Sequence, residues 1–299
     1  MIVSYIGLDG AKEEGAIHVQ ICKPNAGVEK KGILQIVHGM TEHIGRYMDF
    51  AETLCSKGYV VVGCDLSGHG RSVNPKNPEC LYVDSWKDWV ENVETTRKYI
   101  CGQYPELPIY ILGFSLGSFV VRCIPLERLD KYKGVILGGT GYNSALLLSV
   151  LQAIVGVSEI GSMGAESSFA KKLAFDSYAS RFKGKDPLYW LLTDEEARVK
   201  YREDRYVKMK FTAKFFVEFF KCMKKANKCK AIKGKPYMFL SGSLDPVGKN
   251  VRTAYKKYYK ESGNADLYFA EGYTHDIIHD KCSDWVVSKV LSFMGYKES

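Results

Sequence analysis

Three residues carry the chemistry this chain advertises most plainly: Ser115, Asp245 and His275. A serine hydroxyl is not a nucleophile at neutral pH until a base takes its proton, and that base works best when an acid fixes its tautomer and its charged form. Ser115 stands in Gly113-Phe114-Ser115-Leu116-Gly117, preceded by the apolar run Ile109-Tyr110-Ile111-Leu112 and followed by Phe119-Val120-Val121. That reads as a strand, a sharp turn with the serine at its apex, then a helix. A β-carbon at 113 or 117 would strike the neighbouring backbone. Asp245 follows the apolar run Tyr237–Leu240, and His275 follows the run ending at Ala270. All three therefore sit just past a strand, where open α/β sheets assemble their sites.

An acyl-transfer intermediate also needs donors for its oxyanion. The amide of Leu116, at a helix N-terminus, is one candidate. The amide of Met40, in the loop His38-Gly39-Met40-Thr41-Glu42 after another apolar run, is the other, with Gly39 letting the backbone bend close. The ring of His38 is expected to buttress this loop at the substrate end of the site. His279, four residues past His275, is the competing base.

The elements that must position these residues are legible from periodicity. Residues 1–30 read as two strands, Val3–Gly7 and Ala16–Cys22, joined by the turn Asp9-Gly10-Ala11-Lys12. The second alternates Ile17, Val19 and Ile21 with His18 and Gln20, as a half-exposed antiparallel strand does. Continuous apolar runs at 32–37, 59–64, 109–112, 133–137 and 236–241 read as buried parallel strands, and 266–270 as a further strand. Helical patterns fall between them at 47–57, 85–104, 251–261 and 283–294. Repeated strand–helix units imply right-handed crossovers and an α/β fold: a mostly parallel central sheet with helices on both faces.

The alternation fails between Gly138 and Tyr206. Leu146–Val157 is apolar almost throughout, Gly156–Gly164 is rich in glycine and serine, and Phe175–Trp190 is rich in aromatics. This predicts a helical cap at 138–206 inserted into a core of 1–137 and 207–299, rejoined through a helix at Phe211–Cys222. Its apolar face either packs on the core or lines a pocket for a greasy substrate.

Bulk properties narrow the classes. The 299 residues are 46% hydrophobic, enough for one sizeable core. No run of about 18 apolar residues predicts a membrane span, and Met1-Ile2-Val3-Ser4-Tyr5 lacks the basic and apolar segments of a signal peptide. Nine scattered cysteines without a Cys-x-x-Cys pair fit reduced thiols and a cytoplasmic setting. The net charge of +8 owes much to lysines between Lys221 and Lys235. That run either attracts a lipid surface or acidic substrate, or is simply a solvated helix end. No arginine-rich or zinc-knuckle pattern points to nucleic acid, and no metal or organic cofactor is implied.

Taken together, His38-Gly39-Met40, Gly68-His69-Gly70-Arg71-Ser72, Gly113-Phe114-Ser115-Leu116-Gly117, Gly242-Ser243-Leu244-Asp245 and Gly272-Tyr273-Thr274-His275-Asp276 resemble the α/β-hydrolase superfamily. The stretch from His38 to Tyr47, with Glu42-His43 and Gly45-Arg46-Tyr47, is similar to the monoacylglycerol lipase and lysophospholipase branch. The resemblance implies a serine hydrolase of single-chain acyl esters, a small-molecule ester substrate, and Glu42 and Arg46 near the alcohol-binding part of the pocket. An ion pair steadying the loop would use the same two residues. Two departures limit what carries over: His279 stands one residue later than the second histidine of that branch, and Asp204-Arg205 replaces a frequent Asp-Pro. An aminopeptidase or thioesterase on this scaffold, and a ligand-binding homologue with little turnover, remain as alternatives.

Overall fold

Eight strands form one sheet: β1 (Ile2–Asp9), β2 (Ala16–Lys23), β3 (Gly32–Val37), β4 (Tyr59–Cys64), β5 (Ile109–Phe114), β6 (Val135–Gly138), β7 (Tyr237–Gly242) and β8 (Ala265–Ala270). In the computed structural model, which describes residues 1–9, 16–75, 77–158, 164–167, 172 and 176–297, they lie in the order β1-β2-β4-β3-β5-β6-β7-β8. β2 is antiparallel to both neighbours, and every pairing from β4 to β8 is parallel. Every residue of β3, β4, β6 and β7 is buried, as a sheet covered on both faces requires.

Among the described residues the α-helices of four or more residues are α1 (Met48–Ser56), α2 (Trp86–Gln103), α3 (Leu116–Arg122), α4 (Leu126–Leu129), α5 (Ala145–Ser158), α6 (Glu195–Glu203), α7 (Ala213–Lys228), α8 (Val251–Ser262) and α9 (Ser283–Phe293). Alternate residues of each strand serve opposite cores. Ile33, Val60 and Ile111 join α2, α3, α7 and α8 on one face, while Leu34, Val61 and Leu112 join α1 and α9 on the other. Local chemistry sets the ends. Ser85 and Asp88 close a reciprocal capping box on α2, Thr212 caps α7, and Gly263 ends α8 in the left-handed region at φ +73°.

Two expectations need correction. Gln20 is buried, because the start of α1 lies over β2 and the amide donates to Met48 Sδ at 3.1 Å. The returning helix also runs from Ala213 to Lys228, longer than its apolar pattern suggested, because its last turns carry lysines that point outward. The turn beyond Asp9 and residues 159–163 of the glycine-rich stretch lie outside the described residues. Between β6 and β7 the described residues form no strand. Residues 188–201 there build a small core of their own around Leu188, Trp190, Leu192 and Tyr201.

The register brings the carboxyl ends of the strands level. Phe114 pairs with Gly138, and Gly242 pairs with Ala270. The residues that follow β5, β7 and β8 therefore share one rim.

Candidate active site

Ser115 occupies the turn with φ 50° and ψ −116°, a strained backbone for any residue but glycine. The glycines explain how the turn fits. A β-carbon on Gly117 would lie 2.0 Å from the Val37 carbonyl oxygen, and one on Gly113 would lie 2.6 Å from that of Gly117. The turn lifts the hydroxyl to 2.8 Å from His275 Nε2. The other ring nitrogen, Nδ1, is 3.0 Å from both carboxylate oxygens of Asp245. A backbone amide anchors that carboxylate in turn: Val247 N–H donates to Asp245 Oδ1 at 2.8 Å. His275 is held from outside too, since its amide donates to the Trp190 carbonyl and its ring rests against Phe114 and Trp190. Burial alone pulls the His275 pKa down. The Asp245 carboxylate, with Asp276 and Glu42 behind it, more than offsets this and holds it above the ordinary histidine value.

The loop after β3 packs directly on the serine. A β-carbon on Gly39 would lie 3.2 Å from Ser115 Cβ, so glycine is what lets Met40 approach. Gly39 N–H donates to Glu42 Oε1 at 2.5 Å, and Tyr47 donates to the same oxygen at 2.9 Å. Met40 borders the cavity, as does Ser115, and Leu116 opens α3. His38 is placed differently from the expectation that it borders the substrate. It is fully buried behind the loop, where Nε2 accepts from Leu66 N–H at 2.9 Å and Nδ1 donates to the Gly39 carbonyl at 2.8 Å. Its ring does not border the cavity.

Arg46 forms the most concentrated charge beside the site. Its guanidinium donates to Glu42 Oε2 at 2.6 Å and to Asp276 Oδ2 at 3.1 Å, all three groups being nearly buried. Burial opposes ionisation of Asp276, yet His279 and Arg46 hold its carboxyl well below the usual carboxylate range. Glu42, Asp276 and His279 are the one grouping of three metal-type ligands among the described residues. The guanidinium already binds both of its carboxylates, so the cation there is arginine. His279 bonds to Asp276 at 2.8 Å and stands edge-on to Tyr47, away from the cavity that Ser115 borders.

That cavity has a volume of about 290 Å³. Phe119 of α3, Leu148 and Leu151 of α5, and Phe216, Phe220 and Met223 of α7 give it an apolar wall; Glu42, Arg46, Tyr201 and Asp276 give it a polar one. Ser115 and His275 border the same space.

The family model described as serine aminopeptidase, S33 (Hydrolase_4) matches residues 28–282. The chain belongs to that family. It is 33% identical over 107 residues to a monoglyceride lipase homolog of Monkeypox virus, covering 36% of this chain and 37% of that protein. It is 28% identical over 116 residues to a monoacylglycerol lipase of Mycolicibacterium smegmatis, covering 39% and 40%. The match thus spans little more than a third of the length of these curated relatives. Across the whole chain the fold is that of a thermostable carboxyl esterase from Bacillus coagulans crystallised with glycerol, with a TM-score of 0.86, 22% identity, and coverage of 99% and 98%. The fold is the α/β-hydrolase fold.

Within this Hydrolase_4 member, sequence reasoning overlooked Asp276, Tyr201 and Trp190 as parts of the site. Asp276 had a signal, as the residue next to His275. Tyr201 and Trp190 had none, because only the path of the 138–206 segment brings them to the rim.

Proposed function

We propose that this protein is a serine hydrolase of single-chain acyl esters, of the monoacylglycerol or lysophospholipid type. Ser115 Oγ attacks the ester carbonyl and its proton passes to His275 Nε2, while Asp245 holds the imidazole and balances its charge. The amides of Met40 and Leu116 stabilise the oxyanion. Collapse of the intermediate breaks the ester bond, and the departing alcohol takes the proton from His275. The same histidine then activates water, which releases the acyl group from Ser115 as a carboxylic acid. The observation that carries this reading is the 2.8 Å contact between Ser115 and His275 on the wall of a cavity lined by both apolar and polar side chains.

In this reading residues 138–206 are the cap over that cavity, inserted in a core of 1–137 and 207–299. Leu146, Val150, Ile154 and Val157 of α5 project outward, with Leu146 77% and Val157 69% exposed. The neighbouring α7 ends in exposed Lys225 and Lys228. An apolar helix face beside cations suits peripheral contact with a lipid surface. Among the described residues no helix is long and apolar enough to cross a membrane.

The family description keeps an aminopeptidase in view. A free-amine anchor needs an unpaired carboxylate in the cavity. Glu42 and Asp276 are the acids on its wall, and both are bound to Arg46. Cap acids such as Glu166, Asp186 and Asp194 do not border it, and Glu159 lies outside the described residues. This favours an ester. The test is a panel of monoacylglycerols, lysophosphatidylcholine and aminoacyl anilides, run with fluorophosphonate labelling of the parent protein and Ser115→Ala. Turnover of the esters with labelling confined to Ser115 is expected. Preference for the anilides, or label retained by Ser115→Ala, would overturn the proposal.

A further inference from the structure

Thr41 is buried and sits in the left-handed region at φ 69°, and among the described residues Ser115 is the other non-glycine residue with positive φ. A β-branched residue is costly there, and such a conformation persists only where surroundings enforce it. The enforcing groups come from the far side of the site. Thr41 Oγ1 hydrogen-bonds the hydroxyl of Tyr201, on α6 of the cap. The Thr41 carbonyl accepts from Lys208 N–H at 2.9 Å, just beyond the cap. Two residues along the loop, His43 Nε2 donates to Asp204 Oδ2 at 2.8 Å, while its Nδ1 accepts from Gly45 N–H. Asp204 is the C-terminal cap of the same α6.

Met40 therefore lies between two anchors of different origin. Gly39, before it, is tied through Glu42 and Tyr47 to the core. Thr41, after it, is tied to the cap. We infer that Tyr201 is a positioning residue that holds Thr41 in its left-handed conformation and thereby sets the Met40 amide for the oxyanion. The inference rests on the hydrolase reading above and deepens it. The cap then governs more than access, because the oxyanion loop is complete only while α6 is docked on it. Tyr201 is suited to this role because its ring is fixed as well, with the Arg46 guanidinium 4.9 Å from the ring centroid and 3% of the residue exposed.

Four proteins test this: the parent, Tyr201→Phe, Thr41→Gly and the double variant. Each is assayed on a soluble p-nitrophenyl ester, with active sites counted by fluorophosphonate labelling so that unfolded protein drops out. Phenylalanine keeps the ring and removes the hydroxyl that bonds Thr41. Tyr201→Phe should lower kcat about tenfold with KM nearly unchanged, a fraction of the roughly 10²–10³ that loss of a whole oxyanion donor costs. Glycine takes positive φ without support, so adding Thr41→Gly to Tyr201→Phe should restore kcat to within about threefold of Thr41→Gly alone. A rise in KM with kcat intact, or a kcat loss that Thr41→Gly leaves unrelieved, would overturn the inference. A parent protein that neither labels nor turns over would overturn the hydrolase reading itself.

Discussion

Arg46 and Asp276 lie far apart in the chain, and their side chains meet at 3.1 Å, joining the loop after β3 to the loop after β8. The pair sets the charge behind His275. With Glu42 the cluster holds two carboxylates around one guanidinium, and both carboxylates favour the protonated imidazole. Asp276→Asn removes one of them and leaves Arg46 less compensated. Both changes lower the His275 pKa. The base must be neutral to act, so the acidic limb of the pH profile of kcat/KM should move to lower pH. The profile on a soluble p-nitrophenyl ester checks this, and a limb that stays put or moves upward would contradict the assigned electrostatics.

The choice of base gives a sharper comparison. His275 Nε2 faces Ser115, whereas His279 faces Asp276 and Tyr47. His275→Ala should reduce turnover to near background, and Asp245→Asn should lower kcat by about 10⁴ through the wrong tautomer. His279→Ala should keep most of the kcat. Active-site-normalised kinetics of the three variants decide it.

How much of this was readable beforehand depended on the range of the interaction. The turn at Ser115 was legible because two glycines at fixed spacing have a local steric reason: a β-carbon on Gly117 would fall 2.0 Å from the Val37 carbonyl oxygen. The parallel sheet was legible because strands such as Tyr59–Cys64 are buried on both faces and so read as unbroken apolar runs. Gln20 misled because its polarity suggested solvent, while the sulfur atoms of Cys22 and Met48 meet its amide inside. Tyr201 was invisible, since its partner Thr41 is distant in sequence and no periodic pattern links them. The same holds for the Trp190 carbonyl that receives the His275 amide.

The glycine argument carries a stability prediction. Gly117→Ala forces a β-carbon against the Val37 and His38 carbonyls, backbone that has no rotamer to yield. Overpacking of this kind costs about 3 kcal/mol, so the unfolding midpoint in urea should fall with little change in the slope. Gly156→Ala is the control, because nothing lies within 4 Å of the added carbon and α5 continues through it. Urea titrations followed by tryptophan fluorescence would show equal midpoints for the two variants if the close approach were not limiting.

The outward face of α5 makes the last prediction. Leu146 and Val157 are the most exposed of its apolar side chains, and neither borders the cavity. In water they gain nothing from packing, so replacing both with glutamate leaves the core intact and adds charges that anionic lipid repels. Leu146→Glu/Val157→Glu should hydrolyse a soluble short-chain p-nitrophenyl ester at the parent rate. On monoacylglycerol presented in vesicles containing phosphatidylserine it should lose at least about fivefold, with matching loss of co-sedimentation, since burying one large aliphatic side chain contributes roughly 1.5–3 kcal/mol. Equal rates on both substrates would mean that α5 faces water throughout turnover and that the cavity takes its substrate from solution.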